Sequence, residues 1–409
     1  MKPTSILTLA LFGATLSHAT ALQAEEKTLT VCLTNDWDKP QTDAPVVLSL
    51  AEYPVRFDIR SAVVRDGDRE IPCQLDDLDA DRKPDELAFV VDLPAQSTLQ
   101  LTVTLSSEPA TQAYPSRVFA GMLLRDVKKG QHQPVRSLSV PGSSDIYNLV
   151  YPHGPMLESE LVGYRIYFNH KQTLDPYGKF HKRLELEQCC FYPTDEQLSQ
   201  GFGDDVLRVF DSCGPGTLKG WDGQQATHAS EVDLRTERIV ATGPVRAIVE
   251  VADEGWHYQG GTLNMTTRYT LYAGHRDLEV GICFDRPLAQ QIFCTGVQNI
   301  AGSTSYSDHE GLVACWGTDW PVNDTVKYAK ETVGLATCIP AHHLVREAKD
   351  KDNYLYLVHA PGKARFTYHT MFTSTKETFG YPDAEAWFEA ARLWKERLAH
   401  PCKITVKRK

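Results

Sequence analysis

Apolar and polar residues alternate with a period of two along much of the chain. Across residues 98–105 (TLQLTVTL) every second position is apolar, as a strand with one wet face requires. Residues 28–33 (TLTVCL), 44–50 (APVVLSL) and 87–91 (LAFVV) are short, rich in β-branched side chains and bounded by Asp, Pro, Gly or Ser, the marks of further strands. Residues 27–106 therefore read as a compact β-sandwich of immunoglobulin-like size. Residues 107–144 are polar and less periodic, and read as a linker. From residue 145 the runs lengthen: 161–168 (LVGYRIYF), 238–251 (RIVATGPVRAIVEV), 263–272 (LNMTTRYTLY) and 278–284, with turns at Gly260-Gly261 and Ala273-Gly274-His275. Long strands joined by glycine turns predict large antiparallel sheets, a supersandwich-like second unit over 145–409. One helix stands out. Asp383 is placed to cap it, Trp387, Ala391, Trp394 and Leu398 share a face, Glu385 and Glu389 lie early, Lys395 and Arg397 late, and Pro401 ends it. The fold class is mostly β, two sandwiches in series with a C-terminal amphipathic helix.

The first 24 residues break this pattern. Lys2 precedes an apolar core at 6–16, and Ala19-Thr20-Ala21 offers a small-x-small cleavage site, with Ala24 as another. This is the layout of a signal peptide, too short to span a bilayer and followed by no lipid-bearing cysteine. A periplasmic or secreted protein without a membrane anchor is expected.

Composition narrows the function. Lys+Arg 42 against Asp+Glu 53 gives a net charge of −11, which disfavours wrapping nucleic acid by phosphate neutralisation. Hydrophobic residues at 42% suffice for real cores and exclude global disorder. Ten cysteines show no C-x-x-C pair, which argues against a zinc ribbon or redox motif; one or two disulfides would suit an oxidising compartment. G-x-S-x-G, H-E-x-x-H and a P-loop are absent.

Three groups of residues carry candidate chemistry. In the acidic loop 76–86, Asp77, Asp79 and Asp81 alternate as the first three ligands of a calcium loop do, although Arg82 stands where glycine is expected and Ala88 where a bidentate Glu is expected. Calcium is the one cofactor this suggests. Residues 153–183 concentrate His153, Glu158, Glu160, Tyr164, Arg165, Tyr167, His170, Asp175, Tyr177, Lys179 and His181. Arg165 and Tyr167 fall on one strand face, a carboxylate clamp beside a phenol. Dispersed aromatic and polar residues, Trp221-Asp222, Trp256-His257 and Trp316 to Trp320, suit stacking on sugar rings and bonding to hydroxyls.

The blocks YPHGPMLESELVGYRIYF, LDPYGK, GFGDDVLRV and GPGTLKGWDG, together with DELAFVVDL and TRYTLYAGHRDLEV, resemble the DUF4861 family of bacterial proteins across essentially the whole mature chain. That resemblance implies an exported protein of polysaccharide-utilising bacteria, with a carbohydrate role and a uronate-rich saccharide as partner. It brings no catalytic residues with it.

The residues support several readings. A lyase on uronate-containing oligosaccharides would use Arg165 on the substrate carboxylate, His153 or Tyr167 as base, and Tyr177 or His257 as acid. A hydrolase would need two carboxylates, for which Glu160, Asp175 and Asp222 are the candidates. Lys179, Trp221, Asp222, Trp256, His257 and Trp320 would bind substrate. A noncatalytic sugar binder resting on Trp221, Trp256 or Trp320, and a sugar epimerase or mutarotase, are the alternatives.

Overall fold

The computed structural model describes residues 24–407; the expected signal peptide lies almost entirely outside them. Every pairing between named strands is antiparallel, and the strands form sheets of five, nine, six, five and three. Two of them share the N-terminal core. The five-stranded sheet holds Glu26–Asn35 and Ser97–Ser106, and the three-stranded sheet holds Gln41–Ser49 and Glu86–Leu93. Val31, Leu33, Val46, Phe89, Leu101 and Val103 pack between them in one cluster. The alternation at 98–105 survives as a strand with Leu101, Val103 and Leu105 buried.

The stretch 107–144 is not a linker. Val118–Leu124 and Gln133–Pro134 join the six-stranded sheet, and Ser137–Pro141 pairs with Leu234–Ala241 in the nine-stranded sheet. Val118, Ala120 and Met122 are buried at alternate positions, a period obscured in the sequence by Phe119, Leu123 and Leu124, which make the run apolar on both faces. The unit assigned to 145–409 also gives up its last strand: Lys403–Lys407 pairs with Glu26–Asn35. The run 238–251 is two strands, Leu234–Ala241 and Arg246–Tyr258. Between them Gly243 has φ +57, and a Cβ there would sit 2.3 Å from Ser116 Oγ, so only glycine makes this turn without strain.

The nine-stranded sheet shares the main core with the six-stranded sheet and the second five-stranded sheet. Tyr164, Ile166 and Phe168 meet Val249, Tyr269 and Leu271 there, and Phe293, Tyr356 and Val358 complete it. The long helix Ala384–Ala399 starts where the sequence predicts: the Asp383 side chain accepts from Ala386 N at 2.9 Å. Trp387, Ala391 and Trp394 pack on Leu312, Ala336 and Met371 of the nine-stranded sheet. All ten cysteines are free thiols.

One buried acid is out of keeping with this core. Glu237 is fully buried on the inner face of the nine-stranded sheet, and neither carboxyl oxygen has a hydrogen-bond partner. Burial raises its pKa well above the usual 4.5, against the pull of Arg235, so the folded protein keeps the proton that the unfolded chain releases. Stability should then fall as pH rises from about 4.5 towards the folded value, by up to about 1.4 kcal/mol per pH unit. Glu237→Gln cannot ionise and should flatten that slope in urea titrations between pH 5 and 8. An unchanged slope would mean that Glu237 is charged in the folded state.

Candidate active site

The strand Val150–Ser159 breaks register with Val118–Leu124 between Tyr151 and Met156. At this irregularity His153 takes φ +72, and a Cβ on Gly154 would lie 1.8 Å from the Ile166 carbonyl. Glycine lets the two strands close up, and Phe168 N donates to the His153 carbonyl at 2.8 Å. The imidazole stacks on Tyr147 at 3.8 Å between centroids, with Tyr192 edge-on at 6.0 Å and Tyr167 at 6.5 Å. His153 Nδ1 lies 2.7 Å from the Tyr147 carbonyl. A carbonyl only accepts, so Nδ1 carries the hydrogen and Nε2 keeps its lone pair. Burial pushes the His153 pKa down to about 4, and the positive charges of Arg165, Arg125 and Lys128 push the same way. The ring is neutral at physiological pH.

Beneath these rings lies Arg165, 1% exposed. It is ion-paired to Asp175, donates to Tyr167 Oη at 2.7 Å and to Tyr192 Oη at 2.5 Å, and lies 3.8 Å from Asp205. Its guanidinium sits over the Phe191 ring at 4.1 Å and the Tyr167 ring at 4.5 Å. Burial pushes both Asp175 and Asp205 upward against the pull of Arg165, and the charge of Asp175 adds to the push on Asp205. Asp175 is the direct ion partner of Arg165. Burial also raises both phenols, Tyr192 to about 12, so each is a proton donor at neutral pH. Tyr147 and Tyr192 are 39% and 38% exposed, so an incoming molecule meets an aromatic rim with neutral imidazole and phenol groups behind it.

His153, Arg165, Tyr167 and Asp175 thus come together. Tyr147, Tyr192 and Asp205 join them without having been singled out by the sequence. Asp205 lies within the GFGDDVLRV block, where the Asp-Asp pair beside two glycines is its only signal. Tyr192 is delivered by Cys190 and Phe191, both in the left-handed region at φ +47 and +69, a conformation invisible in their residue types.

The other candidates lie elsewhere. Tyr177 is fully buried and bonds to Glu185 at 3.0 Å, so it meets no substrate. Lys179 and Glu158 form an ion pair with both side chains fully buried, which removes Lys179 from any binding surface. Glu160 holds Arg117 at 2.5 Å and the Gly274 amide at 2.8 Å, beside the Arg117–Asp43 pair that reaches the N-terminal unit. Trp256 is 2% exposed and stacked on Tyr258 at 4.4 Å, and Trp221 is buried, so both are core residues. Asp222 and His257 are exposed; Asp222 is engaged with the Gln224 and Gln225 amides at 2.8 Å. Trp320 is half-buried, with Lys330 Nζ 5.8 Å from its ring. Among the described residues, none of these five shares a hydrogen bond, ion pair or ring contact with His153.

In the acidic loop Asp77, Asp79 and Asp85 bring one carboxylate oxygen each to within 4.8 Å of one another, with Asp85 in the place expected of Asp81. Asp77 also accepts from the Ala80 and Arg82 amides at 2.7 Å, and Asp81 from the Lys83 amide at 2.7 Å. Arg82 takes φ +73 where glycine was expected. These bonds account for the loop's shape.

The fold and the site define a β-rich protein with a surface-reaching His–Tyr–Arg–Asp cluster. The family model described as "Domain of unknown function (DUF4861)" matches residues 33–404, and the chain belongs to this family. No curated protein matches. A protein in the glycosyl hydrolase family 38 from Enterococcus faecalis is 10% identical, with a TM-score of 0.46 over 93% of this chain and 47% of that one. An alpha-mannosidase from Enterococcus faecalis V583 is 11% identical, with a TM-score of 0.45 over 93% of this chain and 46% of that one. The chain spans about half the length of these two structures.

Proposed function

We propose that this protein is an exported saccharide-active enzyme that cleaves uronate-containing oligosaccharides by β-elimination at the His153 site. The observation that carries this reading is a neutral imidazole with a free Nε2 lone pair beside two protonated phenols. Elimination from a uronate needs a base for the C5 proton and an acid for the departing O4, while negative charge builds on the carboxylate. His153 Nε2 takes the C5 proton, the C4–O bond breaks as the C4–C5 double bond forms, and Tyr167 or Tyr192 protonates the leaving oxygen. Arg165 is buried and committed to Asp175, Tyr167 and Tyr192, so it holds the phenols in place; the positive charges of Arg125 and Lys128 act at the mouth and favour an anionic sugar. Hydrolysis is less well supported, because Glu160 is committed to Arg117 while Asp175 lies beneath Arg165.

The test is incubation of the mature protein with uronic oligosaccharides, reading the ultraviolet absorbance of the unsaturated product. Tyr167→Phe removes one candidate acid and should lower turnover about 10²-fold or more, with less change for substrates carrying a good leaving group. Products that are hydrolysed, with no new double bond, would overturn the assignment.

A further inference from the structure

A second concave region shares none of the residues of the His153 cluster. It is the seam where the N-terminal unit, the outer face of the nine-stranded sheet and the C-terminal tail meet. A cavity of about 370 Å³ is walled by Val47 of the N-terminal unit and Ile404 of the tail, with Glu279 and His369 of the sheet on its floor. That volume falls in the roughly 300–1,000 Å³ range of small-molecule sites, which favour such junctions. A second cavity of about 500 Å³ adjoins it through shared residues, among them Asp277 and Arg397, and is lined by Trp37 and Tyr381.

The polar groups of the seam fall into two sets. Asp277 is saturated: it accepts from Arg397 at 2.8 Å and Trp394 Nε1 at 3.1 Å, and His275 Nδ1 lies 3.1 Å away. It therefore buttresses the junction. Glu279 and His369 face each other across the strand register, with Nε2 and Oε2 3.9 Å apart. Neither side chain makes a hydrogen bond among the described residues, and burial holds His369 below the usual imidazole range. The floor thus offers a carboxylate and a neutral imidazole, neither of them hydrogen-bonded, between apolar walls, with aromatic rings in the adjoining space. A carboxylate accepts from hydroxyls and repels anions, while apolar and aromatic walls suit the C–H faces of a sugar ring.

We propose that this seam is a second saccharide site, taking an uncharged sugar of one or two rings with Glu279 and His369 on its hydroxyls. Its charge preference is opposite to that of the His153 mouth, and it does not depend on the reaction assigned there.

Saturation-transfer NMR on the mature protein, with galactose, mannose, xylose, cellobiose and glucuronate as probes, tests this. At least one uncharged sugar should bind saturably, and glucuronate should not displace it. Glu279→Ala and Tyr381→Ala, each checked for an unchanged melting curve, should weaken that binding about tenfold or more, while His153→Ala should leave it intact. The proposal is overturned if no uncharged sugar binds, if glucuronate competes, or if binding survives Glu279→Ala and disappears in His153→Ala.

Discussion

His153→Ala is expected to lower turnover of uronic oligosaccharides by about 10²–10⁴-fold, the usual contribution of a positioned general base, with little change in melting temperature. The stability expectation follows from position. The ring is only half-buried and stacks on Tyr147, itself 39% exposed, so its removal opens no sealed cavity. The activity expectation follows from the Nδ1 contact to the Tyr147 carbonyl, which fixes the tautomer and leaves Nε2 as the only free base on the ring. Because the free enzyme's imidazole is held at about pH 4, kcat/KM should lose its dependence on this group above about pH 5 and fall below it as the ring protonates. An acid limb near pH 6.5 would mean that the ring is not desolvated as described. Equal turnover in the variant and the parent would place the base elsewhere.

Lys179→Met should destabilise the fold by about 3–5 kcal/mol, the cost of breaking a buried ion pair from one side. Lys179 Nζ donates to Glu158 and to the Ser159 and Arg183 carbonyls at 2.7 Å, while Glu158 accepts from the Glu185 and Leu186 amides at 2.9 and 2.7 Å. Without the ammonium, a carboxylate whose pKa is already raised by burial has no counter-charge. The pair also ties residues 183–186 to the strand Val150–Ser159, so its loss should loosen the loop that delivers Tyr192. Chemical denaturation measures the effect, and adding Glu158→Gln to Lys179→Met should recover part of it. A variant as stable as the parent, with a raised KM alone, would return Lys179 to the substrate.

Local periodicity made much of the fold legible. Residues 98–105 and 263–272 show which face is buried, and Asp383 announces its helix, because strand alternation and capping depend on neighbours a few positions away. The site was legible in part for the same reason: Arg165 and Tyr167 share a strand face by simple alternation. Tyr177 and Lys179 share that density of polar residues, yet residues 185–202 cover them, and no local pattern reports that cover. Trp256 illustrates the same limit. Its neighbours Asp253, Glu254 and His257 suggest a surface, but a bulge between Asp253 and Trp256 turns the indole into the core. Tyr192 and Asp205 come from segments remote from Arg165 in sequence, and only the tertiary fold brings them together.

The pairing of Lys403–Lys407 with Glu26–Asn35 bears on how this protein can be dissected. A fragment cut at the apparent boundary near residue 106 would leave Glu26–Asn35 as an uncovered edge, its backbone amides and carbonyls open to a neighbouring molecule. Such a fragment should self-associate, and during synthesis the first sheet must wait for residues 403–407 before this rim is closed.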